Sequence, residues 1–302
     1  MRVRAILNRK GGTAALKSNE ALAEEVAAAF AAHDVEADIR LVGADEVFES
    51  FQEAASAEGL DAVVAGGGDG TLSCAAGHLA GTGRPLGVIP LGTLNHFARD
   101  AGIPAAIEEA VAVIAGRYVR AVDVAEVNGR VFINNSAIGL YPHMVRAREA
   151  QRQRIGRSKR LAMLNASLRA LRHFKRHRLT IDLGGLRAPL LTPLLFVGNN
   201  VYETSLLSLG KRARLDGGEL CIYAPEVRGR AHFLGLGLRS LVGLAKQKDF
   251  VSLVGVEEAE VRSLRPALNV SMDGETVVLE TPLRYRIRPG ALRLLTPPDS
   301  AP

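Results

Sequence analysis

Along the first 120 residues the apolar positions fall into short runs separated by helical stretches. Residues 3–8, 37–42, 60–65 and 85–89 read as strands, the run at 60–65 apolar and rich in β-branched side chains as a buried strand is. Residues 18–32, 44–57 and 72–79 are rich in Ala, Glu or other small residues and predict helices. Residues 104–115 predict another, with Pro104 near its start. This alternation predicts parallel βαβ units whose strands carry ligands at their carboxyl ends.

From residue 119 the texture changes. Residues 122–127 and 131–134 flank Asn128-Gly129, and Asn-Gly supports a type I′ hairpin turn. Short runs at 179–183, 194–198, 218–223, 259–263, 267–272, 276–280 and 283–288 predict an antiparallel sandwich. Residues 228–246 interrupt it as a helix, residues 291–295 return toward the first half, and 296–302 read as a loose tail. The expected division is an α/β domain over residues 1–122, joined again by 289–302, and a sandwich over 123–288.

Three strand ends carry candidate chemistry. The run at 60–65 opens into Gly66-Gly67-Gly68-Asp69-Gly70-Thr71 and then a helix. Glycines there allow a sharp turn and a close ligand, and a helix start offers free N–H groups to a phosphate. Asp69 conflicts with that reading unless a bridging Mg²⁺ or a hydrogen bond holding the loop removes the repulsion. The first strand leads into Asn8-Arg9-Lys10-Gly11-Gly12-Thr13, a second glycine turn carrying two cations. The fourth leads into Pro90-Leu91-Gly92-Thr93-Leu94-Asn95-His96-Phe97-Ala98-Arg99. Near the other end lies Ser271-Met272-Asp273-Gly274-Glu275, where two carboxylates flank a glycine and can serve a metal and a proton transfer together. Taken alone, Asp-Gly-Glu is also a common hairpin turn.

Composition narrows the classes. With 302 residues, 47% hydrophobic and 23% charged, the chain supports a substantial core and excludes wholesale disorder. A net charge of +6 favours an anionic partner: nucleotide, nucleic acid or an acidic membrane surface. Cys74 and Cys221 are far apart in apolar contexts and read as buried thiols in a reducing compartment. Met1-Arg2-Val3-Arg4 runs straight into a strand, and no apolar run approaches a membrane span, so a cytoplasmic protein is expected. Residues 146–178 carry a dozen Lys and Arg against one carboxylate, Glu149. Leu161, Leu164, Leu168, Leu171 and Phe174 form an apolar stripe at helical spacing there. The segment is either a surface helix packed on the sandwich or a docking face for anionic lipid. Nucleic acid is disfavoured, because stacking aromatics are nearly absent.

Jointly, Gly66 to Thr71, Gly92-Thr93-Leu94-Asn95 with Phe97-Ala98-Arg99, and Asp273-Gly274-Glu275 resemble the diacylglycerol kinase catalytic family, in order and spacing from about residue 3 to residue 290. The resemblance implies an α/β nucleotide-binding domain followed by an antiparallel β-sandwich that takes the lipid, with ATP and Mg²⁺ between them. It assigns Asn8, Gly11 and Gly12 to the first nucleotide loop, with Arg9 where relatives carry proline. Gly66, Gly67, Gly68, Asp69, Gly70 and Thr71 match the phosphate loop, and Gly92, Thr93 and Asn95 the second edge of the site. Glu275 falls on the catalytic base and Asp273 on its companion carboxylate; Asp69 is expected near Mg²⁺. Arg99 is a candidate phosphate partner or interdomain ion pair, and His96, where relatives often carry aspartate, is expected to cap. Leu215-Asp216-Gly217-Gly218 has one carboxylate where relatives have a pair for a structural Mg²⁺, leaving Asp216 as the candidate ligand. Gly43 stands where relatives often offer a threonine.

The expectation is an ATP-dependent lipid kinase acting on a diacylglycerol-like hydroxyl, in peripheral contact with the anionic inner face of the membrane. A kinase of a soluble acceptor such as NAD, or a non-catalytic nucleotide- or lipid-binding protein on the same fold, are the alternatives. An exposed sandwich edge strand could pair two copies.

Overall fold

The structure, a computed structural model, describes residues 1–9, 18–139, 175–202, 214–225 and 250–298, with residues 212, 227, 229, 232, 233 and 235 besides. Gly11 and Gly12, nearly all of the basic segment at 146–178 and most of the helix expected at 228–246 lie outside the described residues.

Strands β1 (Arg2–Asn8), β2 (Glu36–Val42), β3 (Ala62–Gly67) and β4 (Leu86–Pro90) pair in parallel in the order β2-β1-β3-β4. Side chains alternate across this sheet with period two. Val3, Ala5, Leu7, Ala62 and Val64 face one core with Leu22, Val26 and Phe30 of α1 (Asn19–Ala31) and Val111 and Ile114 of α5 (Ile107–Ala115). Ile6, Val63, Ala65 and Val88 face the other, with Phe51 of α2 (Val47–Ser56), Leu72 and Ala76 of α3 (Asp69–Leu79) and Phe97 of α4 (His96–Asp100). Both faces are covered, as parallel strands require.

β5 (Val119–Val127) turns through Asn128 and Gly129, at φ 48° and 78°, into β6 (Arg130–Phe132), the type I′ geometry the dipeptide favours. β16 (Leu283–Leu295) runs antiparallel to β5 with a bulge between Arg288 and Leu292, and its Leu294 pairs in parallel with Leu86 of β4. Its other end pairs with β13 (Glu258–Ser263), which carries β8 (His177–Leu183) and β9 (Leu186–Thr192), so one sheet runs through both halves. The runs expected at 283–288 and 291–295 are therefore one strand, broken in the sequence only by Pro289-Gly290 at the bulge.

A second, antiparallel sheet has the order β12 (Phe250–Val256), β11 (Leu220–Pro225), β10 (Leu194–Asn199), β7 (Asn135–Gly139), β14 (Ala267–Met272) and β15 (Glu275–Glu280). Val127, Ile181, Val261 and Tyr285 from the first sheet meet Ile138, Val197, Ile222 and Val270 from the second in one sandwich core. The chain is thus an α/β unit followed by an antiparallel sandwich. Among the described residues no helix is long and apolar enough to cross a membrane.

Candidate active site where the two halves meet

α3 starts without a cap. Gly68, at φ −92° and ψ −177°, precedes it, and among the described residues no side chain caps its first N–H groups. The N–H groups of Asp69, Gly70 and Thr71 therefore have no intrahelical partner, and the helix dipole favours an anion in front of them. Glycine is required around this start for space. A Cβ on Gly67 would stand 2.5 Å from Thr71 Oγ1, and one on Gly92 would run into the Cα of Gly68. That close approach is sealed by Leu91 N–H and Gly92 N–H, which donate to Gly67 O at 3.0 and 3.1 Å. Asn8 Nδ2 donates to Thr71 Oγ1 at 3.1 Å, so Thr71 points inward and ties the end of β1 to α3. Asn95, left-handed at φ 48°, donates from Nδ2 to Gly92 O at 2.9 Å, while its Oδ1 is buried and accepts no hydrogen bond. Thr93 is exposed at the same rim.

Asp69 reaches across to the start of α4. Its carboxylate accepts from His96 N–H at 3.2 Å and Phe97 N–H at 3.0 Å, capping α4, and from Asn134 Nδ2 at 3.3 Å. His96 serves that cap through its backbone, and its ring Nδ1 meets Arg99 at 3.0 Å. Of the two ways to reconcile a carboxylate with a phosphate loop, the hydrogen bond that holds the loop is present.

The back half supplies the rest. Asp273 and Gly274, at φ 46° and 92°, form a two-residue turn between β14 and β15, with Met272 paired to Glu275. The Asp273 carboxylate accepts N–H groups of Ile133, Asn134 and Asn135 at 2.8, 2.8 and 3.0 Å. Burial pushes this carboxyl up from its ordinary value, while the Ser73 hydroxyl and those N–H groups pull it the other way. Glu275 is exposed and leans over the start of α3: a Cβ on Gly70 would stand 3.0 Å from its Oε1. Burial, and then the Glu275 charge, push the Cys74 thiol up to about 11. One face of α3 (Asp69, Gly70, Ser73, Cys74) thus meets Asn134, Asp273 and Glu275 of the other half.

Asn8, Gly66 to Thr71, Gly92, Asn95, Asp273 and Glu275 accordingly lie together, and Asp216 does not join them. Burial of Asp216 is outweighed by hydrogen bonds from Arg120 and Arg214, at 2.8 and 3.1 Å, which hold its carboxyl below its ordinary value. A carboxylate already neutralised by two guanidinium groups does not fit a structural Mg²⁺. The turn it sits on is instead tied by buried Asp123, whose carboxylate accepts Gly218 N–H at 2.7 Å and Gly290 N–H at 2.8 Å. Ser73, Asn134 and Arg212 also belong to the junction, though no motif marks them. Asn134 left a signal, a pair of amides closing an apolar hairpin run; Ser73 and Arg212 left none.

Known proteins resemble this chain in sequence and in fold. Residues 2–127 match the diacylglycerol kinase catalytic domain. A probable YegS-like lipid kinase of Pseudomonas fluorescens Pf-5 is 32% identical over 301 residues, covering 94% of this chain and 95% of that one. Its counterpart in Pseudomonas aeruginosa PAO1 is 32% identical over 306 residues, 94% of each chain. In fold, the chain is similar to the crystal structure of a putative diacylglycerol kinase from Bacillus anthracis str. Sterne, at 23% identity and a TM-score of 0.76 over 98% of both chains. The chain belongs to the diacylglycerol kinase catalytic-domain family of lipid kinases.

Proposed function

We propose that this protein transfers the terminal phosphate of ATP to the hydroxyl of a diacylglycerol-like or related lipid. The observation that carries the reading is the Glu275 carboxylate over Gly70, at the uncapped start of α3. A place for negative phosphate oxygens and an acceptor for a proton then share one cleft, which is what phosphoryl transfer to an alcohol needs.

The donor set fits a triphosphate. The N–H groups of Asp69, Gly70 and Thr71 would hold phosphate oxygens, with Gly92, Thr93 and Asn95 forming the rim and Gly68 and Gly92 leaving room for a close backbone. Mg²⁺, when bound, offsets phosphate charge. An ion arriving on a triphosphate needs only one or two carboxylates, and Asp69 Oδ2, with one hydrogen bond, keeps acceptor capacity for it. Glu275 takes the proton from the lipid hydroxyl as that oxygen attacks the terminal phosphorus and the bond to the bridging oxygen breaks, with ADP leaving. Asp273 fixes the hairpin turn through three backbone N–H groups, and so holds Glu275 at its station. A lipid acceptor also implies work at a membrane surface, reached from the cytoplasmic side and held there by charge; the net +6 supports this.

The test is to incubate the purified chain with labelled ATP, Mg²⁺ and a total lipid extract. A labelled lipid that disappears with Glu275→Gln is expected. Label passing to NAD and to no lipid would contradict the reading.

A further inference from the structure

The turn that carries Asn134 is gripped from two sides. Asp273 holds its N–H groups, and Arg212 holds its oxygens. The Arg212 side chain is 0% exposed. Its Nη1 donates to Ile133 O, its Nη2 to Asn134 Oδ1 at 2.9 Å, and its Nε to Asp100 Oδ2 at 2.9 Å. The rings of Phe97 and Tyr202 flank the guanidinium at 5.7 and 5.6 Å, and Tyr202 OH donates to Asn134 O at 2.9 Å. Asp100 is the last residue of α4, the helix whose first N–H groups Asp69 caps, and Asn134 Nδ2 donates to that same carboxylate. The contacts close a ring: Asp69 to α4, α4 through Asp100 to Arg212, Arg212 to Asn134, and Asn134 back to Asp69.

We propose that Arg212 is a positioning residue for the transfer site, fixing Asp69 at the head of α3 through Asn134 and α4. The inference rests on the kinase reading above. A planar fork of five donors suits the task, because it can bind a carboxylate, a carbonyl and an amide oxygen at once. A buried guanidinium is costly to hold unless its donors are met, and here Asp100, the turn at Ile133 and Asn134, and Asn199 O at 3.4 Å meet them. The group is charged at every working pH and cannot be removed by a chelator. It supplies, in this chain, a fixed cation where α4 meets the turn at Ile133 and Asn134.

The test uses the full chain, with ATP and vesicles containing dioleoylglycerol. Arg212→Gln should lower kcat by about tenfold or more, the scale of a misplaced reacting group, with KM for ATP within about twofold. Arg212→Lys should recover part of the loss. The double variant with Asp69→Asn should be no slower than Asp69→Asn alone, since both act through one element. Val270→Ala, a core truncation outside the ring, serves as a control matched for loss of thermal stability. An Arg212→Gln chain with the kcat of that control, or losses that multiply with Asp69→Asn, would overturn the proposal. If Arg212→Gln does not fold, Asn134→Ala leaves the guanidinium in place and cuts the link; unchanged kcat there would also overturn it. Hydrogen exchange at the His96 and Phe97 amides decides the matter without turnover: faster exchange in either variant supports the ring, and unchanged exchange refutes it. A wild-type chain that transfers no phosphate would sink the kinase reading, and the exchange readout would still judge the ring.

Discussion

Two helices start side by side at the junction, and their first turns are finished in opposite ways. α4 begins under a carboxylate: Asp69 takes the N–H groups of His96 and Phe97. α3 begins at Gly68, with no side chain among the described residues on its own N–H groups. Both helices present the same unsatisfied donors. One set is met within the protein and the other is left for a ligand. The contrast also accounts for an acid in a phosphate loop, because the carboxylate at the head of α3 serves its neighbour. On the proposed reading an anion site is made by withholding a cap, and the working acid comes from the other half, on Glu275.

The largest effect should come from that acid. Glu275→Gln should slow transfer by about 10²–10⁴-fold, the usual contribution of a positioned base, with ATP affinity nearly unchanged. A variant that keeps full turnover would mean that the open helix start and the base are unrelated. Next is Gly92→Ala, whose Cβ would run into the backbone of Gly68 as well as the Asn95 amide oxygen. Forcing those loops apart should cost about 1–3 kcal/mol in thermal melts and weaken ATP binding about tenfold in titrations. Uncapping α4 should do less. Asp69→Ala should cost about 1 kcal/mol, and Asp69→Asn, which keeps an acceptor, a fraction of that. Equal losses would show that the cap is not what Asp69 provides.

Two smaller effects sharpen the picture. The Cys74 thiol, pushed up to about 11 by burial and by Glu275, should alkylate slowly at neutral pH; Glu275→Gln should quicken it, as read by site-resolved mass spectrometry. An unchanged rate would put the carboxylate away from α3. Asp216, held below its ordinary value by Arg120 and Arg214, contributes stability above the ordinary carboxylate range and loses it as pH falls through the folded value. The gap in Tm between wild type and Asp216→Asn should therefore be full at pH 7 and close toward acid, while chelators leave wild-type Tm unchanged.

Much of this was legible in the sequence, for reasons that differ by element. β3 and β4 are continuous apolar runs closed by glycine or proline, and β1 and β2 are short runs set off by the helical stretches that follow, so period and punctuation agree. β7 was not legible, because Asn-Ser-Ala-Ile-Gly shows no clear alternation. β9 was hidden by Pro189, tolerated there because the strand lies at the sheet edge. At the site, the glycines and the Asp273-Gly274 turn were readable because backbone geometry demands them. The direction of the Asp69 carboxylate was not, since it depends on where α4 starts and on Asn134, a residue from the other half. Ser73 and Arg212 were invisible for the same reason: their partners are assembled only by tertiary packing.

The most direct test is to follow backbone amide resonances of the full chain as Mg·ATP is added. The account predicts that the amides of Asp69, Gly70 and Thr71 shift strongly and saturably, while those of His96 and Phe97, already bonded to Asp69, move little. Shifts confined to other loops, with the first turn of α3 silent, would contradict it.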